Sequence, residues 1–225
     1  MTPLRRSPLH DVTSALGPTW SNRDGMTIPF LFDDGDTARV ARLGIVDLSF
    51  LARCGMKGPD SVAWLASQGI GVPSINCWAP LPDGGLVARL GKTEFLVEDA
   101  SGGTLVARLA AALAPAPAGV YPVLRQDAAF ALTGSTLDVL LRQTCNVNFK
   151  TLDRETRQLA LTSMVGVPIV ITSHEMAGQA CYRLWCDGTY GAYLWQTLHG
   201  IALELGGGAA GIGCLMPEAV QLINS

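Results

Sequence analysis

Charged residues are scarce in this sequence: Asp, Glu, Lys and Arg make up 16% of its 225 residues, while 48% are hydrophobic. Long hydrophobic runs are missing as well, since the longest mostly apolar stretches, such as 105–114, reach about half of what a bilayer span requires. We therefore expect no membrane helix. So few charges leave little to keep the surface hydrated, which suggests that part of it is reserved for a partner protein.

Lysine and histidine are also rare, and Cys-x-x-Cys pairs are absent from the sequence. The chain has three histidines, and its six cysteines include no Cys-x-x-Cys pair, a usage typical of reduced, packed thiols in a cytosolic protein. A net charge of −3 provides no basic field for nucleic acid. Near the amino terminus Arg5 and Arg6 are followed by Asp11 instead of a continuous apolar run, so we expect a cytoplasmic and not a secreted protein.

The familiar catalytic and nucleotide-binding motifs are absent or out of context. Gly206, Gly208 and Gly211 satisfy G-x-G-x-x-G, but they follow a predicted helix where a dinucleotide site needs a strand. His174-Glu175 has no second histidine four residues on, and no serine lies in a G-x-S-x-G elbow. We assign no catalytic residue, no metal ligand and no cofactor-binding residue.

A pattern that occurs twice stands out. In residues 54–65 and 130–141 a short apolar run ends at a glycine, Gly58 or Gly134, and an apolar-faced helix opens after it. Trp64-Leu65 and Leu140-Leu141 follow their glycines at the same spacing. We interpret the chain as α+β, built from internally duplicated strand-helix-strand-strand-helix units. Chance strand-Gly-helix coincidences in an undivided α+β chain are the alternative.

The predicted organisation has three parts. Residues 1–36 form an extended amino-terminal arm, 37–205 a single duplicated domain with halves 37–114 and 119–205, and 206–225 a glycine-rich linker with an apolar tail. Within the domain we predict a first strand over residues 39–46, helices over 59–67 and 135–144, and a long last helix over 187–205.

Both ends of the chain carry large apolar side chains without the length or pattern to build a core. Large apolar side chains are unfavourable in water, so we predict that the ends are buried against a partner and contribute to a partner interface. The residues predicted for this interface are Trp20, Phe30, Phe32, Leu215, Met216 and Leu222.

The order and spacing of several short segments resemble a known family. The segments are Val46-Asp47-Leu48-Ser49, Met56-Lys57-Gly58-Pro59-Asp60, Gly84-Gly85-Leu86, Arg89-Leu90-Gly91, Glu94-Phe95-Leu96-Val97 and Tyr193-Leu194-Trp195. Together they resemble the folate-binding half of the glycine-cleavage T-protein family, and most of all the gamma subunit family of heterotetrameric sarcosine oxidase. The resemblance covers roughly residues 37–205 and implies a duplicated α+β domain of the aminomethyltransferase type.

The resemblance also implies where cofactors would lie. In such complexes FAD, FMN, NAD, zinc and tetrahydrofolate are expected in the larger flavoprotein subunits, and none is expected in this chain. The folate-using transferases carry adjacent aspartates after the double glycine, where charge develops during transfer. Here Gly84-Gly85-Leu86 is followed by Val87, Ala88 and Arg89, and neither a methyl group nor a guanidinium can accept a proton.

The function expected from this resemblance is that of a non-catalytic accessory subunit in a cytoplasmic hetero-oligomer of one-carbon metabolism. That complex would oxidatively demethylate an N-methyl amine and pass the one-carbon unit to tetrahydrofolate. A free-standing, folate-binding aminomethyltransferase-like protein that handles formaldehyde from methylamine oxidation is the first alternative. A homo-oligomeric module that binds a small molecule is the second.

Overall fold

The computed structural model describes residues 5–216, and the contacts within it group the chain into two compact units. Unit 1 comprises residues 5–50, 127–151 and 162–216, and unit 2 comprises 51–126 and 152–161. The units differ from the predicted halves 37–114 and 119–205, because residues 44–47 pair with a strand from the second half of the sequence. The halves stay a prediction about how the sequence repeats.

Fourteen strands and six helices follow one another through residues 5–216. The strands are β1 (Arg5–Arg6), β2 (Thr19–Arg23), β3 (Met26–Leu31), β4 (Gly44–Asp47), β5 (Arg53–Lys57), β6 (Cys77–Pro80), β7 (Leu86–Arg89), β8 (Glu94–Glu98), β9 (Tyr121–Val123), β10 (Ala128–Thr133), β11 (Leu159–Met164), β12 (Val167–Met176), β13 (Gln179–Cys186) and β14 (Gly208–Ala209). The helices are α1 (His10–Ser14), α2 (Asp36–Leu43), α3 (Ser61–Ser67), α4 (Leu105–Ala112), α5 (Leu137–Thr144) and α6 (Gly188–Glu204).

The residues of the predicted extended arm that the structure describes form a sheet and a short helix. Strands β1, β3 and β2 form a three-stranded sheet in that order, and α1 lies between β1 and β2 in the sequence. Met26, Ile28 and Phe30 alternate along β3 and are buried, which is the period of a strand with one covered face. The apolar side chains of β3 are therefore buried by other residues of unit 1.

The main sheet of unit 1 has six strands in the order β11-β12-β13-β10-β4-β14. All six residues of β10 are buried, as in a strand with neighbours on both edges and both faces covered. Helix α6 begins at Asp187, whose side chain accepts a hydrogen bond from the Thr189 backbone N–H at 2.9 Å. Its buried side chains recur every three or four residues, namely Leu194, Trp195, Leu198 and Ala202.

Helix α2 occupies a stretch that was predicted as a strand over residues 39–46. The strand β4 begins only at Gly44, and the residues before it are helical because Val40 and Leu43 lie on one buried helix face. The Asp36 carboxylate in the first turn accepts hydrogen bonds from the Phe32 backbone N–H at 3.1 Å and that of Asp33 at 3.3 Å. The strand predicted over residues 39–46 is therefore wrong before Gly44, where the apolar residues follow helical spacing.

Unit 2 is built on a five-stranded antiparallel sheet in the order β6-β7-β8-β5-β9. Its core is apolar, and Met56, Leu65, Phe95 and Leu109 are fully buried in it. These residues come from two strands and two helices, so the helices α3 and α4 cover the sheet with their apolar faces.

Each unit has one corner where a strand turns into a helix at a glycine. Gly58 follows β5 with φ +126°, and Gly134 follows β10 with φ +117°. A Cβ atom at Gly58 would lie 2.2 Å from the Gly119 carbonyl oxygen, and one at Gly134 would lie 2.5 Å from the Arg42 carbonyl carbon. Both corners therefore need glycine for its backbone conformation and for the close approach of another segment.

The two corners also share their hydrogen bonds. The Asp60 backbone N–H donates to the Gly119 carbonyl at 3.1 Å, and the Thr136 backbone N–H donates to the Arg42 carbonyl at 3.0 Å. The corners lie where the sequence pattern placed them. The leucines that follow are buried, as predicted: Leu65, Leu140 and Leu141 are at most 2% exposed, whereas Trp64 is half-buried.

The strand order of the two sheets is shared as well. In unit 2 the strand β5 is followed along the chain by α3, β6, β7 and β8, and β9 lies beside β5 in the sheet. In unit 1 the strand β10 is followed by α5, β11, β12 and β13, and β4 lies beside β10 in the corresponding position. We interpret this shared order as an internal duplication, which stays a prediction. No helix between residues 5 and 216 combines the length and apolar character that crossing a bilayer demands.

Candidate functional site

The positions at which the resembling transferases carry aspartates lie on β7 in unit 2. Ala88 is 1% exposed, so its methyl group is part of the sheet's packing. Arg89 ends the strand, with its guanidinium 5.6 Å from the centre of the Phe95 ring. Neither residue offers an acceptor for a proton.

The Arg89 side chain holds loop backbone in place. Its Nε donates to the Gly91 carbonyl at 3.2 Å, Nη1 to the Pro73 carbonyl at 3.2 Å and Nη2 to the Lys92 carbonyl at 2.7 Å. These three carbonyls accept from three of the five N–H donors that the guanidinium holds in a fixed fork. Arg89 therefore stabilises the β7–β8 hairpin and the loop at Pro73.

Three buried charges of unit 2 also have partners within the sheet and its helix. Arg53 on β5 and Glu98 on β8 lie opposite each other and form an ion pair whose side chains are 3% and 0% exposed. Both carboxylate oxygens of Asp99 accept from the Val106 backbone N–H, at 3.0 and 3.1 Å, in the first turn of α4. These contacts position the sheet and the helix.

Three of the buried cysteines are poor nucleophiles. Burial, together with the nearby Asp99 charge, raises the pKa of the Cys54 thiol to about 12. Burial likewise raises the pKa of Cys181 to about 11 and that of Cys186 to about 12. Because the thiolate is the reactive form, these three thiols stay protonated and inert at neutral pH.

The other motifs weighed in the sequence are structural. His174 lies on β12 opposite Cys181 on β13, and not in a turn. A Cβ atom at Gly211 would lie 2.0 Å from the Phe30 carbonyl oxygen, and the Gly211 backbone N–H donates to the Asp36 carboxylate at 2.7 Å. The glycine-rich segment thus packs inside unit 1, where the sequence predicted a linker. Between residues 5 and 216, no group of three or more His, Cys, Asp or Glu side chains could hold a metal ion.

A cleft of about 530 Å³ lies in unit 1 at the carboxyl-terminal end of α5, and we call it the α5 cleft. It is lined only by residues between 138 and 150. Its apolar lining comes from Leu141, Cys145, Val147 and Phe149. The first two and Phe149 are buried, and Val147 is half-buried, so the apolar side chains form a floor. The volume lies within the range typical of ligand sites.

The rim of the α5 cleft is polar and carries two cations. Lys150 pairs with Asp138 at 3.1 Å, and both side chains are largely in solvent. The Arg142 Nε donates to the Asp138 carbonyl at 3.1 Å. Asn146 and Asn148 add exposed amides. No pattern in the sequence indicates this site, because only the turn after α5 brings Lys150 back to Asp138.

The residues predicted for a partner interface separate into two groups. Phe30 and Leu215 are 7% and 2% exposed, so this chain already covers them and the reasoning that they need a partner does not apply to them. A Cβ atom at Gly213 would lie 2.9 Å from the Phe30 ring, which shows how tightly the two ends pack together in unit 1.

The rest of the predicted interface stays a prediction. Trp20, Phe32 and Met216 are half-buried. The Trp20 ring lies against His10, with ring centres 4.8 Å apart. Leu222 lies outside the described residues.

Sequence comparison identifies no relative: no model of a known protein family matches the chain, and no curated protein matches it. Two solved structures are similar in fold. The first is the crystal structure of glycine cleavage system aminomethyltransferase T from Bartonella henselae, with a TM-score of 0.71 and 16% identity over 92% of this chain and 59% of that one. This chain thus spans about three fifths of the aminomethyltransferase.

The second similar structure is a chain of heterotetrameric sarcosine oxidase from Corynebacterium sp. U-96 in complex with pyrrole 2-carboxylate. Its TM-score is 0.61 and its identity is 21%, over 90% of this chain and 95% of that one. Identities this low bear on the fold alone. The α+β fold expected from the resemblance is confirmed, and this chain shares it with the glycine-cleavage aminomethyltransferase and with a heterotetrameric sarcosine oxidase.

Proposed function

We propose that this chain is a non-catalytic accessory subunit, of the gamma type, in a flavin-dependent complex of the sarcosine oxidase kind. The observation that carries the proposal is the near-complete mutual coverage with one chain of the heterotetrameric oxidase, 90% and 95%. Since both coverages are high, the two chains are similar in length as well as in fold.

The partners would be larger flavoprotein subunits that oxidatively demethylate an N-methyl amine and pass the one-carbon unit to tetrahydrofolate. FAD, FMN, NAD, zinc and tetrahydrofolate would be held by those subunits. The buried Ala88 and the carbonyl-bound Arg89 support the absence of transfer chemistry in this chain, because neither can stabilise a developing cation or accept a proton.

A second candidate function has an observation of its own. The TM-score to the aminomethyltransferase is the higher of the two, 0.71 against 0.61, and that match covers 92% of this chain. This favours a free-standing folate-binding protein that handles formaldehyde from methylamine oxidation. The two candidates differ in whether the isolated chain turns over folate.

The isolated chain is expected to show no aminomethyl transfer to tetrahydrofolate and no flavin absorbance after purification. The physical reason is that no carboxylate occupies the two positions after Val87, so the charge that develops at the reacting carbon is not stabilised. The measurement is a folate-coupled transfer assay with a glycine-cleavage aminomethyltransferase as the positive control. Folate-dependent turnover by the purified chain alone would favour the second candidate and remove the first.

A further inference from the structure

We propose that the α5 cleft is the place where this chain receives an acidic peptide segment of its partner subunit. The segment would place an apolar side chain on the floor formed by Leu141, Val147 and Phe149 and a carboxylate beside Arg142. The inference rests on the proposed function, since it requires a partner subunit.

The lining of the cleft favours a polypeptide over a small molecule. All of it comes from one stretch of thirteen positions, residues 138–150, and its polar residues Arg142, Asn146, Asn148 and Lys150 are exposed. A small ligand is held by burying most of its surface, which a cleft with an exposed rim favours less than an enclosed pocket does. The exposed side of a bound peptide segment is covered by the rest of the partner subunit. The rim amides of Asn146 and Asn148 can form hydrogen bonds with the backbone of the segment.

The charge of the rim favours an acidic segment. Arg142 and Lys150 are cations, and Asp138 is the one carboxylate of the lining. Asp138 pairs with Lys150, whereas the described partner of the Arg142 guanidinium is a backbone carbonyl, bonded through Nε. The rim is therefore locally positive on a chain with a net charge of −3. Charges placed in this way guide a complementary surface and fix its register.

Helix α6 carries two exposed tyrosines, and hydrogen bonds link one of them to the end of α5, where the cleft lies. Tyr190 and Tyr193 on α6 are 49% and 52% exposed and lie three residues apart, on one side of the helix. The Tyr193 hydroxyl donates to the Val165 carbonyl at 3.2 Å, and the Val165 backbone N–H donates to the Thr144 carbonyl at 2.8 Å. Thr144 precedes Cys145, which lines the cleft. Tyrosine and arginine are the residues most often found at the centres of protein interfaces.

The test uses the full chain and the flavoprotein subunits purified from a native-host strain that lacks this chain. The variant Arg142→Glu/Lys150→Glu reverses both rim cations, and Lys57→Glu/Lys92→Glu reverses two exposed cations that lie neither in the cleft nor at the ends of the chain. We expect the cleft variant to bind the flavoprotein at least roughly tenfold more weakly and the control to bind as the wild type does. Wild-type binding should also weaken as sodium chloride is added.

The outcomes separate the two proposals. If the wild type binds no flavoprotein, the proposed function fails and the docking site falls with it. If the wild type binds and the cleft variant binds equally well, the proposed function stands and the docking site is overturned. Equal thermal unfolding of both variants shows that the charge reversals leave the fold intact.

A photo-crosslinking residue gives an answer that does not depend on affinity. Placed at Asn146 in the assembled complex, it should crosslink to a flavoprotein peptide that contains an Asp or Glu next to an apolar residue. Placed at Lys92, it serves as the matched control. A complex that forms without any crosslink from position 146 contradicts the docking site.

Discussion

Gly134→Ala is expected to lower the free energy of unfolding by about 3 kcal/mol or more. Gly134 has φ +117°, a conformation that residues with a Cβ atom rarely adopt. The new methyl group would also lie 2.5 Å from the Arg42 carbonyl carbon and 2.6 Å from its oxygen. Both are backbone atoms, and they belong to the segment that receives the Thr136 hydrogen bond, so relief requires the corner itself to move.

Gly166→Ala is the matched control for this substitution. Gly166 also has a positive φ, +85°, but a Cβ atom there would meet nothing within 4 Å. Its cost is therefore the backbone strain alone, about 1–2 kcal/mol. Urea unfolding of both variants measures the difference. Equal losses at the two positions would show that the close approach at the Gly134 corner has no energetic consequence.

Leu140→Ala is expected to cost about 2–5 kcal/mol of unfolding free energy, the usual range for emptying a buried leucine site. Leu140 is 0% exposed on α5, the helix that the Gly134 corner opens. Its removal leaves a cavity between the helix and its neighbours that the surrounding side chains fill only in part.

Leu203→Ala provides the comparison, since Leu203 is 57% exposed on α6. A surface truncation of this kind usually changes stability by about 0.5 kcal/mol or less. The two unfolding midpoints, measured in urea under the same conditions, test whether α5 packs as described. A loss at Leu140 no larger than the loss at Leu203 would mean that α5 does not pack into the core of unit 1.

Local signals in the sequence predicted the two corners and three of the six helices well. The helices predicted over 59–67, 135–144 and 187–205 correspond to α3, α5 and α6, each within about two residues at either end. Apolar spacing and the obligatory glycines carry this information within a few residues of chain. The sequence is therefore a sufficient guide wherever structure is decided by neighbours along the chain.

Pairing between distant segments explains what the sequence did not predict. The arm forms a sheet because β3 finds β1 and β2 as neighbours, and β14 pairs in parallel with β4 across most of the sequence. Nothing in the composition of residues 26–31 or 208–209 specifies those partners. Phe30 and Leu215 are buried within unit 1, so the fold itself covers two of the six residues predicted for a partner interface.

The candidate sites also combine features that the sequence predicts with features that only the fold creates. That Ala88 and Arg89 cannot act as carboxylates can be read from the sequence, but the three carbonyls that Arg89 binds come from loops whose approach it does not reveal. The α5 cleft was not predicted, since its cationic rim depends on the turn that returns Lys150 to Asp138.

The most direct measurement for the proposed accessory role is purification of the chain from its native host at its natural level, followed by size-exclusion chromatography with absorbance and activity readings. The proposal predicts that the chain elutes with larger chains that carry flavin, and that the same fractions oxidise an N-methyl amine. A chain that elutes alone as a monomer while binding tetrahydrofolate would contradict the proposal.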